Sequence, residues 1–376
     1  MDINLLSIIK YDIKDKIVDF LLDEIKEELK TKEISERIPL DTNLLQSILP
    51  NLLKRGNQHL KYIDLSEVVF DDINVVRCNF EGTNAIIDPQ TVKRKSLSQT
   101  NLKGIDLSDK NFDDVDITWA NLEGTNANID PQTIKNKNMI NTNLKGLDLS
   151  GKSFDGVYVI GANLEGTKAN IDPQTIKDRN LCKANLKGLD LSEKSFDKVR
   201  IIRTNLEGTK ANIDPQTLYS KHLKGTNLKA LDLSGKNFDG VSIEWSNLEG
   251  TNANINPQTV SCKDLSGTNL KGLDLSGKSF DSVNIMYANL EGTKANIDPQ
   301  TIFEKNLIGT NLRGLDLSSK DFTDVIIDET ILENTNALIN KNTVGYFKNS
   351  EKIVGYHIFN DEEFRKYIKK RVRTKD

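Results

Sequence analysis

Large apolar residues fall on every fifth position through the middle of the chain: Leu144, Leu149, Phe154, Val159 and Leu164, preceded in turn by Asn143, Asp148, Ser153, Tyr158 and Asn163. A helix needs apolar spacings that alternate between three and four, and a flat strand needs every second residue. A spacing of five therefore predicts a side, a corner and another side, so that the chain coils. Past Leu164 the beat reaches Ala169; two extra residues, Asp172 and Pro173, then intervene before Ile176 and Leu181 restore it. Eight pentads plus two residues make a unit of 42. Pro89, Pro131, Pro173, Pro215, Pro257 and Pro299 stand 42 residues apart, and Lys341 holds the same phase in a degraded seventh copy. With four pentads to a square coil, each unit is two coils.

Ala162-Asn163-Leu164-Glu165-Gly166 and Ala184-Asn185-Leu186-Lys187-Gly188 resemble the pentapeptide-repeat motif of Ala or Thr, Asn or Asp, Leu, any residue, and often Gly. The resemblance runs from His59 to Asn349. It implies an all-β solenoid, a right-handed quadrilateral β-helix of about fourteen coils stacked at the inter-strand distance of about 4.8 Å. The physics of the unit agrees. The pentad centre and the small Thr or Ala two places before it point inward, Asn or Asp before the centre suits a turn, and Gly two places after it tolerates positive φ. Leu144-x-x-Leu147-x-Leu149 also looks like a leucine-rich repeat, but the 42-residue unit does not halve into two matching units, and Phe154, Val159 and Leu164 keep the beat of five.

The ends differ in kind. Residues 1–57 carry Ile13, Ile17, Phe20, Leu21, Ile25 and Leu29 at helical spacing, then Asp41 as an N-cap before Leu44, Leu45, Ile48, Leu52 and Leu53, with Pro50 expected to kink or divide this second helix. This small α-helical module is expected to cap the open end of the coils or to serve as an interaction module. Residues 58–349 form the coils. Residues 350–376 form a C-terminal helical cap, with Asn360 and Glu363 as a capping-box-like start and a basic tail of Lys366, Lys369, Lys370, Arg371, Arg373 and Lys375.

One column is odd for its phase. Lys110, Lys152, Lys194, Lys236, Lys278 and Lys320 sit two places before a central Phe, where a bare ammonium pointing inward is costly. The neighbouring coil places its two-residue insertion at the same corner, with Asp88, Asp130, Asp172, Asp214 and Asp298, and Asn256 and Asn340 as exceptions. The spacing predicts a ladder of Lys–Asp ion pairs that fixes register more than it stabilises.

Three faces of the coil are nearly invariant between copies, and the fourth varies. Its outward residues read Val76-Arg77, Thr118-Trp119, Ile160-Gly161, Ile202-Arg203, Glu244-Trp245, Met286-Tyr287 and Asp328-Glu329, with Tyr158 and Arg200 just before their centres. Both tryptophans lie here. Exposed Trp, Tyr, Arg and Met are the residue types enriched at interfaces, which makes Arg77, Trp119, Tyr158, Arg200, Arg203, Trp245, Met286 and Tyr287 the candidate partner-binding face. Drift on an unconstrained surface after duplication would give the same variability. The alternating coil varies modestly at Ile140, Cys182, Lys224 and Ile308.

Composition narrows the chemistry. Net charge is −4 over 376 residues, and no apolar run approaches the roughly 20 residues a membrane span needs. The N-terminal residues lack a basic secretory n-region, so a cytoplasmic location is the expectation. Cys78, Cys182 and Cys262 are far apart, with Cys78 facing inward and the other two outward; His59, His222 and His357 are scattered. No catalytic, metal-binding or cofactor-binding motif occurs, and Asp and Glu are arrayed alike in copy after copy, as in structural ladders. The expectation is a non-enzymatic scaffold for a protein partner, without cofactor, metal or small-molecule substrate; binding of nucleic acid is disfavoured. Two alternatives stay open. The family resemblance implies, for some members, a DNA mimic that binds DNA gyrase and protects it from quinolones, which calls for a strongly acidic rod. A structural or self-assembling rod, or a homodimer through a terminal module, is the other.

Overall fold

The carbonyl at the centre of most pentads accepts the N–H three residues on, the pentad before each insertion being the exception. Ile105 donates to Leu102, Lys110 to Leu107, Val115 to Phe112 and Ala120 to Ile117, at 2.9, 3.2, 3.1 and 3.0 Å. Each bond closes a corner, so the beat of five is a series of tight turns. The structure, a computed structural model, describes residues 11–31, 37–38, 40–55, 57–339 and 357–358. It divides into two units, Met1–Asn180 and Leu181–Asp376.

Within the first unit, parallel bridges join Asn79 to Asn101, Asn101 to Asn121, Asn121 to Asn143 and Asn143 to Asn163. Within the second, the same column runs from Asn185 through Asn205, Asn227, Asn247, Asn269, Asn289 and Asn311 to Ile331. Steps of 20 and 22 residues alternate, so each 42-residue unit is two coils, and the longer step contains the insertion. The expectation of an all-β chain needs correction in one respect. Turns occupy most of each side, leaving about one paired residue per side, so the ladder is a set of isolated bridges. Among the described residues the regular strands are β1 (Leu338–Ile339) and β2 (His357–Ile358), paired in parallel.

The interior is filled as the phase predicts. Leu102, Leu107, Val115, Ile117 and Leu122 are fully buried in the first unit, as are Leu228, Leu233, Val241, Ile243 and Leu248 in the second, with Phe112 and Phe238 nearly so. The small inward position is Thr or Ala, with Cys78 and Ser246 as exceptions. Where it is Thr, a carbonyl of the wall accepts its hydroxyl: Thr100 donates to Val75 at 2.8 Å, Thr142 to Ile117 at 2.8 Å and Thr226 to Ile201 at 2.7 Å. A buried hydroxyl thus costs little, and Ala serves equally well where it occurs. Each insertion ends in a short 3₁₀ turn, such as Lys135–Lys137 and Tyr219–Lys221.

The N-terminal helices are α1 (Tyr11–Thr31) and α2 (Thr42–Arg55). Asp41 caps α2 as expected, its carboxylate accepting the Leu44 N–H at 2.8 Å. Pro50 lies inside α2, which runs on to Arg55 undivided. The α1 face is rotated from the expected one. Val18, Leu22 and Ile25 are buried, while Ile13 and Phe20 are exposed, because Asn51, Asp15, Arg55 and Asp19 pin the helix. Asn51 donates to Asp15 at 2.8 Å, and Arg55 pairs with Asp15 at 3.3 Å and Asp19 at 2.9 Å.

The second helix closes the edge of the first coil. The Gln46 amide donates to the Val69 carbonyl at 2.8 Å and accepts the Val69 N–H at 3.0 Å. Ile38 joins as a strand-like partner, donating to Tyr62 at 2.7 Å and accepting from Asp64 at 3.2 Å. Backbone groups that a solenoid leaves open at its end are satisfied here by side chain and main chain together. The expected C-terminal helix, the basic tail and residues 340–349 of the coils lie outside the described residues.

Candidate interaction face

The corner that ends the fourth face is a column of left-handed residues. In the first unit it comprises Arg77, Gln99, Trp119, Asn141 and Gly161, with φ of 66°, 60°, 61°, 55° and 67°. In the second it comprises Lys183, Arg203, Gly225, Trp245, Gly267, Tyr287, Gly309 and Glu329, with φ between 56° and 68°. A Cβ at such a corner projects outward and along the stack, and that explains the glycines. A Cβ on Gly267 would fall 2.3 Å from the Trp245 ring, one on Gly309 2.3 Å from the Tyr287 ring, and one on Gly225 2.8 Å from the Arg203 Cγ. Arg203, Trp245 and Tyr287 each lie over the glycine of the next coil.

Trp245 is 54% exposed and Tyr287 47%. Their ring centroids are 5.9 Å apart at 27° to each other, a stacked pair bridging two coils. Met286 beside Tyr287 is half-buried. Trp119, on the first unit, is 59% exposed, with Gln99 below it and Asn141 above, and Arg77 donates to Gln99 at 2.9 Å. Tyr158 and Arg200, each in its own unit, sit at the other edge of the face. Lys177 stands 5.8 Å from the Tyr158 ring centroid, and the Arg200 guanidinium lies 4.2 Å from that of Tyr219. The candidate residues thus fall at two corners of the face, with Arg203, Trp245 and Tyr287 at one, and Tyr158 and Arg200 at the position of the other. Tyr219, which the sequence reading did not single out, belongs with Arg200.

The Lys–Asp ladder does not form. Among the described residues, no ion pair joins Lys110, Lys152, Lys194, Lys236, Lys278 or Lys320 to Asp130, Asp172, Asp214 or Asp298. The aspartates serve their own turns: Asp130 accepts the Gln132 N–H at 2.9 Å, Asp172 that of Gln174 at 2.9 Å, Asp214 that of Gln216 at 3.0 Å and Asp298 that of Gln300 at 3.0 Å. Asn256 does the same for Gln258 at 3.1 Å, which is why Asn is tolerated. The lysines are half-buried, and Lys236 and Lys320 lie near Asp232 and Asp316 of their own coils.

The inter-coil fastener at that corner is the glutamine. Gln132 Nε2 donates to Ser153 and Asp155 carbonyls at 3.1 and 3.1 Å, and Gln258 Nε2 to those of Ser279 and Asp281 at 3.3 and 3.0 Å. Ion pairs occur on another face, between Lys145 and Glu165 at 3.6 Å, Lys187 and Glu207 at 3.3 Å, and Lys271 and Glu291 at 3.1 Å. Between them runs a ladder of carboxamides, Asn121 donating to Asn101 at 2.9 Å and Asn227 to Asn205 at 2.9 Å.

Groups with catalytic potential are spread thinly. Cys78 is buried, and burial pushes its thiol up to about 12, while Cys182 is half-buried and Cys262 exposed. Among the described residues no three His, Cys, Asp or Glu side chains cluster as a metal site would require, and no helix is long and apolar enough to cross a membrane.

No curated protein matches the chain. Among solved structures, HetL, a pentapeptide repeat protein involved in heterocyst differentiation regulation from the cyanobacterium Nostoc sp. strain PCC 7120, is 20% identical, with 69% of this chain and 90% of HetL covered and a TM-score of 0.21. A trypsin-treated form of QnrB1, a plasmid-mediated fluoroquinolone resistance protein, is 15% identical over 57% of this chain and 88% of its own, with a TM-score of 0.18. The profile of the family described as Pentapeptide repeats matches in 8 copies, over residues 96–126 and 264–296. With a beat of five and a turn at most pentads, the chain carries the pentapeptide repeats of that family.

Proposed function

We propose that this chain is a non-enzymatic scaffold whose fourth face binds a protein partner, and that each unit is a right-handed quadrilateral β-helix on which that face is carried. One observation supports the reading above the rest: the Trp245 and Tyr287 rings stack on one corner, about half exposed, over glycines that leave room for them. Aromatic side chains held flat and solvent-facing supply contact area at little entropic cost, the usual chemistry of an interface anchor. The interior is packed with Leu, Ile, Val and Phe and offers no enclosed site for a substrate among the described residues. The test is partner capture by the full chain and by Trp245→Ala/Tyr287→Ala, with circular dichroism to confirm folding. Loss of captured protein is expected; unchanged capture removes this corner from the reading.

The gyrase-binding alternative draws less support. A DNA mimic needs uncompensated negative charge along its length, close to one charge per about 1.7 Å of duplex. Here Glu165, Glu207, Glu249, Glu291 and Glu333 each meet a Lys or Arg from the preceding coil, at 3.6, 3.3, 3.2, 3.1 and 3.0 Å. Gyrase supercoiling is expected to be unaffected by the protein at micromolar concentration.

A further inference from the structure

We propose that the corner of the second unit is a self-complementary surface, on which a second copy of this chain docks antiparallel about a two-fold axis at Gly267. The proposal rests on the reading of the fourth face as a docking face and names its partner. The corner residues of alternate coils are Arg203, Trp245, Tyr287 and Glu329, each 42 residues from the next, with Gly225, Gly267 and Gly309 between them. Gly267 is the midpoint of this column. Trp245 and Tyr287 lie one coil away on either side, and Arg203 and Glu329 lie three. A two-fold axis there sets Trp245 of each copy against Tyr287 of the other, and Arg203 against Glu329. At about 4.8 Å per coil, Arg203 and Glu329 each stand about 14 Å from the axis along the stack.

Three features of the column favour a second copy over an unrelated protein. The first is charge. Along the corner and the side that leads to it, the exposed or half-exposed basic side chains Lys183, Arg200, Arg203 and Lys224 all lie below Gly267, Asp328 and Glu329 lie three coils above it, and Glu244 and Asp264 lie on the coil below Gly267 and on its own coil. Reversal of one copy lays the basic end of each on the acidic end of the other, as an isologous interface demands. The Asp264 carboxylates sit three residues back from the corner, to either side of the axis.

The second is pairing. Arg203 and Glu329 are exposed at the corner, and neither takes part in an ion pair among the described residues, although Lys187, Lys229, Lys271 and Arg313 of the same unit all do. The third is shape. Arg203, Trp245 and Tyr287 each lie over the glycine of the next coil, which lowers the corner to a flat ridge and lets two such ridges approach. A partner with one hydrophobic anchor and no charge gradient would use the aromatic pair alone and leave both ends of this column unmatched.

Sedimentation equilibrium of the full chain over a concentration series is the test. A monomer–dimer equilibrium is expected. Arg203→Glu or Glu329→Arg alone should weaken it about tenfold or more, by setting like charges together. The double variant Arg203→Glu/Glu329→Arg restores the pairing with its signs exchanged and should return the dimer to near wild-type strength. Trp245→Ala/Tyr287→Ala should weaken it at least about thirtyfold. A chain that stays monomeric throughout overturns the dimer, and partner capture that still depends on Trp245 and Tyr287 then shows that the broader docking reading survives. A dimer indifferent to both single charge reversals, or one not rescued by the double variant, also overturns it, since the contact then lies elsewhere.

Discussion

The Trp245 and Tyr287 rings stack at 5.9 Å over a corner where Gly267 stands between their coils. The glycine is what allows it. A Cβ at Gly267 meets the Trp245 ring at 2.3 Å, whereas one at Gly272, with φ of 75°, meets nothing within 4 Å. Gly272→Ala therefore measures left-handed strain alone, about 1–2 kcal/mol. Gly267→Ala carries that strain and also displaces the ring, so it should be the more destabilising of the two and should alter tryptophan fluorescence. Thermal melts and emission spectra of the two variants check this.

Removal of the glutamine clamp should loosen one corner. Gln258→Ala leaves the Ser279 and Asp281 carbonyls without their shared donor, and Gln258→Glu does the same because a carboxylate cannot donate. Each is expected to cost about 1 kcal/mol in chemical denaturation.

The half-buried lysines, in contrast, should tolerate neutralisation. Lys194→Met is expected to change stability by less than about 0.5 kcal/mol, and equally at low and high salt, as it breaks no ion pair. A large salt-dependent loss would restore the ladder that the sequence suggested.

The N-terminal cap should be worth measuring at one residue. Gln46→Ala unmakes both bonds to Val69 and opens the coil edge, at a cost of about 1–3 kcal/mol for the pair. Hydrogen exchange should show the loss first at Val69, with the coils of the second unit unaffected.

Acid should unfasten the turns in a narrow window. The Ser150 hydroxyl and N–H, and after them the Lys168 ammonium, hold Asp148 at about 2, below its ordinary 3.8. Equivalent serine bonds lower Asp190, Asp232, Asp274 and Asp316. A carboxylate depressed on folding stabilises fully above its unfolded value and loses that contribution as pH falls through its folded one. Melting temperature is thus expected to fall between about pH 4 and pH 2 on this account. Ser150→Ala should move the Asp148 titration, followed by NMR, upward towards 3.8.

What the sequence made legible was whatever repeats with the pentad. The interior, the turns and the two-coil unit follow from spacing, because a side chain at the centre of a corner has only one way to face. The misreadings concern choice among partners. The first helix carries two apolar stripes, and periodicity alone cannot tell that Asn51 and Arg55 hold Asp15 and Asp19 and so turn Val18 inward and leave Phe20 out. Counting pentads put lysine and aspartate at one corner, but the aspartate is already engaged by the N–H two residues on. The glutamine after each proline was a usable signal: Gln90, Gln132, Gln174, Gln216, Gln258 and Gln300 keep the period of 42, although a purely solvated position has no reason to. Gly225, Gly267 and Gly309, one coil beyond Arg203, Trp245 and Tyr287, were legible in the same way.

The alternation of 20- and 22-residue steps sets the grain at which such a chain can lengthen or shorten. Excision of a single coil would bring two insertions, or two plain coils, face to face, and loss of the Gly267 coil alone would set Trp245 and Tyr287 on neighbouring levels with no glycine between them. Excision of 42 residues returns an equivalent partner to each ladder bond, each glutamine and each ring. Coils are therefore gained and lost in pairs, and a gene for this protein edits its surface in words of two coils while the spelling of its interior stays the same.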